Sequence, residues 1–356
     1  MQLETNISMG PNSTAFGETD GAVANSIGLS SFMGIFILCF YITVYSASSV
    51  GNFVVLYICN RSGRSAAFRP TRTGFFNRYI ANLAIADLLF TQLTVFDAVY
   101  AALDEWVMGA AVCKLQGFLV ELCYSASILT LIAISRERLN SLSDLEMKSR
   151  IQRIRERKIR SIIVWIVALF LCSPLLYAYN LGKNSGIIRC NNTAWSHIGR
   201  RIYYSLTAVI LFILPLVIMI GTQVKIKGFF KSQVASNQQI AALTRARQKK
   251  VSRMLSAVTL AFFAFWSPFI FIRTLRYFSW YEGKIIWKLS QLLTIASAAA
   301  NPFIYSFYSL HFRVYLKRFA TCRCGLMAAS AENVDSSTAN SLYWNSATIE
   351  LGFSFY

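Results

Sequence analysis

The chain has 356 residues, of which 55% are hydrophobic and 14% charged, with a mean hydropathy of +0.46 and a net charge of +19. A soluble domain carries roughly 25% charged residues, so this balance excludes an ordinary soluble protein and points to lipid. The positive charge sits in short segments between long apolar runs, a distribution that argues against nucleic acid as the partner.

Residues 1–30 contain no Lys or Arg and lack the basic, apolar and small-residue pattern of a cleaved signal peptide. They read as an extracellular tail with glycosylation sequons at Asn6 and Asn12. The first apolar run, 31–59, then serves as an uncleaved signal anchor. Further runs occupy 79–103, 110–134, 159–178, 202–226, 251–277 and 285–310. Each is long enough for the roughly 20 residues a helix needs to cross a bilayer. Backbone groups left unsatisfied in hydrocarbon are costly, so these runs are helices. The polar–apolar alternation of a membrane barrel is absent. The expected fold is an all-α membrane protein, with a seven-transmembrane helix bundle over residues 31–310 and termini on opposite sides.

The segments at the first, third and fifth connections and after the last run carry 26 of the 35 basic residues. The positive-inside rule makes those segments cytoplasmic, with the amino terminus outside and the carboxyl terminus inside. A third sequon, at Asn191, then also faces outside, whereas the one at Asn60 faces the cytosol. Of eight cysteines, Cys39, Cys59, Cys123 and Cys172 lie within or at the ends of the runs, as packing thiols do. Only Cys113 and Cys190 share the oxidising side, which predicts a disulfide between them. Cys322 and Cys324, inside and just past the last run, are palmitoylation candidates. Residues 311–324 set Phe312, Tyr315, Leu316 and Phe319 against Arg313, Lys317 and Arg318, the pattern of an amphipathic helix on the inner surface. Residues 325–356 form a polar tail expected to be disordered.

Several motifs follow one another along this frame. The first run carries Gly51-Asn52 and the second NLAIADLLF around Asp87. Trp106 and Gly109 precede Cys113, and Glu137-Arg138 falls within SRERL at the end of the third run. Trp165 lies in the fourth, Pro215 in the fifth, and Phe262 with Phe265-Trp266-Ser267-Pro268 in the sixth. Asn301-Pro302-Phe303-Ile304-Tyr305 closes the seventh. In this order the set resembles the rhodopsin-like G-protein-coupled receptors, and in particular their peptide-receptor branch, over roughly residues 31–324. Pro174, Pro215, Pro268 and Pro302 all fall inside the runs, at places where the resemblance implies bends.

A carboxylate at a helix centre costs about 2.5–3.5 kcal/mol on insertion scales, so Asp87 needs partners or water. The resemblance implies an allosteric sodium ion there, held by Asp87, Ser127, Ser297 and Asn301; the bland alternative is polar glue between helices. It makes Glu137 the resting partner of Arg138, although Arg138 also reads as one more positive-inside arginine. It makes Phe262, Trp266 and Pro268 a pivot in the sixth helix, although an aromatic core stripe would look similar. Asn301, Pro302 and Tyr305 complete the expected switch. Three departures stand out: Leu139 follows Arg138 where tyrosine is usual, Gln248 occupies the place of an acidic lock partner, and Gln223 replaces a tyrosine.

The outer half is the expected ligand cavity, with Asp97, Gln116, Val120, Glu121, Tyr124, Trp266, Phe269, Arg273 and Gln291. Asp97 also reads as a rim residue hydrated from outside. Val120 stands where amine receptors carry aspartate, and Ile295 where opsins carry their retinal lysine, so neither ligand is expected. Both charge signs in the cavity favour a neuropeptide-like ligand over a lipid or other small organic molecule. The implied partners are a heterotrimeric G protein, receptor kinases and arrestin. A transporter or channel would need polar residues through several helices and internal repeats, which are not seen. No enzyme is expected either, because His197 and His311 have no catalytic constellation around them. The location is the plasma membrane.

Overall fold

The computed structural model describes residues 32–64, 77–143, 150–184, 186–233, 239–281, 283–308 and 312–313. The expectations for Asn6, Asn12, Cys322, Cys324, the tail and the amphipathic segment other than 312–313 fall outside those residues, as does the side chain of Gln248. Long helices run through α1 (Phe32–Arg64), α2 (Asn77–Leu103), α3 (Gly109–Ser143) and α4 (Arg150–Cys172). A short α5 (Leu175–Ala178) leads to the strands β1 (Asn180–Asn184) and β2 (Ile187–Asn191). Next come α6 (His197–Ala208), a π turn at Val209–Ile213 and α7 (Leu214–Gln233), which together form one crossing. The chain continues as α8 (Gln239–Tyr277) and α9 (Lys284–Tyr308). Six of these crossings are long and apolar enough to span a bilayer, and α9, 25 residues long, is the seventh helix of the bundle.

Large apolar side chains such as Phe53, Phe170, Leu260, Phe271 and Phe307 are exposed on the outer faces of these helices, where lipid replaces water. Polar side chains turn inward instead: Asn52, Asn82, Asp87, Thr130 and Asn301 are all buried. One polar joint binds three helices. Asn82 on α2 donates to Thr130 on α3 at 2.7 Å and accepts from the Trp165 indole of α4 at 2.8 Å. Gly51 lets α1 lie against α9, because a Cβ there would come within 2.7 Å of the Pro302 ring.

The four in-span prolines follow one rule. Proline lacks an N–H, so the carbonyl four residues earlier loses its helical partner. In each case a side chain supplies the missing donor, as membrane helices require. Ser173 Oγ donates to Phe170 O at 2.9 Å and Ser267 Oγ to Ala264 O at 3.3 Å, both within the local turn. The other two donors come from other helices: Tyr124 of α3 donates to Leu211 O at 3.0 Å, and Asn52 of α1 to Ala298 O at 3.1 Å. Pro174 lies inside the fourth crossing, Ile154–Ala178, where the helix breaks after Cys172 and resumes as α5. The fifth crossing is also longer than the apolar run, since its amphipathic outer turns from His197 look polar in sequence.

The β-hairpin pairs Leu181 with Cys190 and turns at Gly186, whose φ of 86° suits glycine. A disulfide joins Cys190 to Cys113 at the start of α3, as expected, with 5.6 Å between the Cα atoms. Trp106 N donates to Ile188 O at 2.9 Å, so the hairpin is tied to the α2–α3 connection as well.

Candidate functional site

The third helix carries the site along its length. At the outer end Gln116 donates to Asp97 of α2 at 2.8 Å, so this expected ligand residue is held by a neutral neighbour. Glu121 forms an ion pair with Arg273 of α8, and the two side chains are 14% and 5% exposed. The Arg273 guanidinium also lies over the rings of Tyr204 and Phe269, at 4.9 and 5.1 Å. Tyr204 stacks on Tyr277 at 4.3 Å, and buried Asn192 donates to both phenols, at 3.0 and 2.6 Å. Glu121 and Arg273 therefore neutralise one another at this depth.

A cavity of about 380 Å³ opens above this pair. Its lining includes Asn192, His197, Arg200, Arg273, Arg276 and Trp287. Of the expected ligand residues only Arg273 touches it. Asp97, Gln116, Val120, Glu121, Tyr124, Trp266, Phe269 and Gln291 lie away from its walls. Arg200, Arg276 and Trp287 were missed because nothing in a linear reading separates them from flanking charges and core aromatics. The one available signal was their position, since all three stand in the outermost turns of α6, α8 and α9.

Below the ion pair an aromatic stack fills the bundle. Trp266 lies 4.2 Å from Tyr124, 5.5 Å from Phe90 and 5.7 Å from Phe262, between ring centroids. Phe269 meets Trp266 edge-on at 5.9 Å and reaches Trp287 at 5.2 Å, linking the stack to the cavity wall. Val120 packs against this core.

Deeper still, Asp87 accepts from Asn301 at 2.7 Å and from Ser127 at 3.3 Å. Ser297 is buried one turn before Asn301. The Asn52 amide nitrogen is occupied by Ser48 and Ala298, while its Oδ1 is buried without a hydrogen-bond partner. A carboxylate, hydroxyls and amide oxygens are the hard donors that an alkali or alkaline-earth cation takes. Among the described residues no group of three or more His, Cys, Asp or Glu side chains converges as a metal site.

At the inner end Glu137 is held by α4. It accepts from Arg157 Nε at 2.8 Å, from Arg157 Nη2 at 2.5 Å and from Arg160 Nη1 at 2.6 Å. These partners were counted in the sequence only as positive-inside residues. Arg138 beside it is 5% exposed. Gln223 of α7 accepts from Ser256 of α8 at 2.8 Å, so the residue replacing the usual tyrosine joins those two helices. Tyr305 is buried, with its ring 5.6 Å from Phe312.

Comparison with known proteins agrees with this arrangement. The family model described as 7 transmembrane receptor (rhodopsin family) matches residues 51–305. Galanin receptor 2a of Danio rerio is 30% identical over 78% of this chain and 76% of its own. Neuropeptide Y receptor type 4 of Mus musculus is 26% identical over 85% of each chain. The QRFP-like peptide receptor of Branchiostoma floridae is 25% identical over 85% of this chain and 81% of its own.

Proposed function

This chain belongs to the rhodopsin family of seven-transmembrane receptors, multi-pass proteins of the plasma membrane and not enzymes, and we propose that its ligand is an extracellular peptide whose binding activates a heterotrimeric G protein. The observation that carries this reading is the polar cavity lined by Arg273, whose ion-pair partner Glu121 lies behind the lining. From there a continuous packing path runs through Phe269, Trp266 and Phe262 along α8. A ligand that shifts Arg273 acts on the same helix that Pro268 weakens, and outward movement of the inner half of α8 is the consequence. The names of the related receptors support a peptide.

The basic segments support an amino terminus outside and a carboxyl terminus inside. In that orientation Asn191 is an exposed sequon at the cavity rim, and with Asn6 and Asn12 it is the proposed site of glycans. Cys322 and Cys324 are the proposed lipid anchors, in 311–324 ahead of a 325–356 tail that receptor kinases and arrestin would read. Asp87, Ser127, Ser297 and Asn301 fit a sodium ion, since all four are buried and Asp87 already bonds to Ser127 and Asn301. Bound there, the ion supplies a positive charge between α2, α3 and α9 that favours the resting arrangement.

The test uses membranes bearing the full chain, pools of short peptides and a purified G protein. Peptide-stimulated nucleotide exchange, without ion flux in voltage-clamped cells, is the expected result. Ion flux without exchange contradicts the reading.

A further inference from the structure

The cavity has an unbalanced chemistry. Arg273 is 4% exposed, and while Nη1 engages Glu121, its Nη2 is buried with no hydrogen-bond partner among the described residues. Arg200 has one nitrogen 3.1 Å from His197 Nδ1 and a buried Nε with no partner. Guanidinium carries only donors, so His197 Nδ1 is the acceptor in this contact. Glu121 offsets Arg273, but among the described residues that line the cavity none is an Asp or Glu to offset Arg200. Two cations that line one cavity each keep a buried donor unpaired among the described residues, which calls for an anionic acceptor, and guanidinium is the side chain whose geometry suits a carboxylate.

We propose that this cavity is a carboxylate subsite: Arg273 Nη2 and Arg200 receive a carboxylate of the peptide, from an Asp or Glu side chain or from a free carboxyl terminus. The assignment rests on the peptide reading above and specifies the chemistry that reading leaves open. A Lys or Arg of the ligand is disfavoured here by like charge. The neighbouring rings of Trp287 and Tyr277 give the stem of the acidic residue an apolar wall.

The probes are four pools of random octapeptides, assayed by nucleotide exchange on membranes bearing the full chain. One pool contains Asp and Glu and ends in free carboxylates. A second replaces them with Asn and Gln and is amidated. The third and fourth keep only the side-chain acids or only the free terminus, and so identify the source of the carboxylate. The fully acidic pool is expected to act at roughly tenfold lower concentration than the neutral amidated pool, the size of one charge-assisted hydrogen bond. Arg200→Gln should remove most of that advantage at matched surface expression, and Arg200→Glu should reverse it, so that the neutral amidated pool acts at the lower concentration. Arg200 carries the test because Arg273→Gln would strand Glu121 and risk misfolding. Equal activation by acidic and neutral pools, or an acidic preference surviving in Arg200→Glu, overturns the subsite while leaving the peptide reading intact. Silence of every pool overturns both.

Discussion

Two carboxylates project from α3, and they are held very differently. Glu121, at the outer end, has one arginine partner, Arg273, and that partner belongs to α8. Glu137, at the inner end, uses both oxygens on Arg157 and Arg160, and both belong to α4. The outer pair thus ties α3 to the helix that Pro268 interrupts, and the inner pair ties it to a helix packed alongside through the Asn82–Trp165 joint. An ion pair acts as a movable joint or as a fixed pin according to which helix supplies the partner. By this comparison α3 and α4 form the frame, and α8 is the part that moves.

The comparison is broken most severely at the outer pair. Arg273→Gln strands a nearly buried carboxylate, and removing one partner of such a pair costs roughly 3–5 kcal/mol. Thermal unfolding of detergent-purified protein should show that loss, and adding Glu121→Gln should recover much of it. At the inner end the loss is smaller because Glu137 has two partners. Arg157→Gln removes the buried one and is expected to cost about 1.5–3 kcal/mol, as for hydrogen bonds to a charged group. Arg160→Gln should cost under about 1 kcal/mol, since that side chain is 36% exposed and screened by solvent. Equal losses for Arg157 and Arg160 would show that burial does not set the strength of the pin.

Much of the architecture was legible in the sequence because lipid imposes a coarse rule, that a span is a long run with few charges. Cys113 and Cys190 were legible because topology left them alone in an oxidising compartment. Asp87 and Asn301 were legible because polar residues inside apolar runs are conspicuous. The partners of Glu121 and Glu137 were less so. Arg273 was recognised as a cavity residue but not as a counter-ion, and Arg157 and Arg160 were hidden among nine basic residues of one segment. Which of several arginines reaches a carboxylate depends on helix rotation and crossing, information that a hydropathy pattern does not carry. The donors to the proline-freed carbonyls had the same character: Ser173 and Ser267 precede their prolines and were readable, whereas Tyr124 and Asn52 come from other helices.

Between the two ends lies Asp87, a buried carboxylate bound by neutral donors alone among its hydrogen bonds. The smallest expected effect belongs here. Sodium should weaken peptide-driven exchange severalfold, because an ion that prefers the resting state must be less welcome in the active one. Asp87→Asn should remove the sodium dependence, and a mutant as sodium-sensitive as wild type would leave the site without its ion.

The division into frame and moving part is most directly tested by distances between spin labels at Asn140→Cys on α3, Gln152→Cys on α4 and Arg253→Cys on α8. The background should lack Cys39, Cys322 and Cys324, and distances should be compared without ligand and with an activating peptide pool plus G protein. The account predicts that the α3–α8 distance lengthens by several ångströms while the α3–α4 distance stays unchanged. An α3–α4 distance that changes as much, or an α8 that does not move, would contradict it.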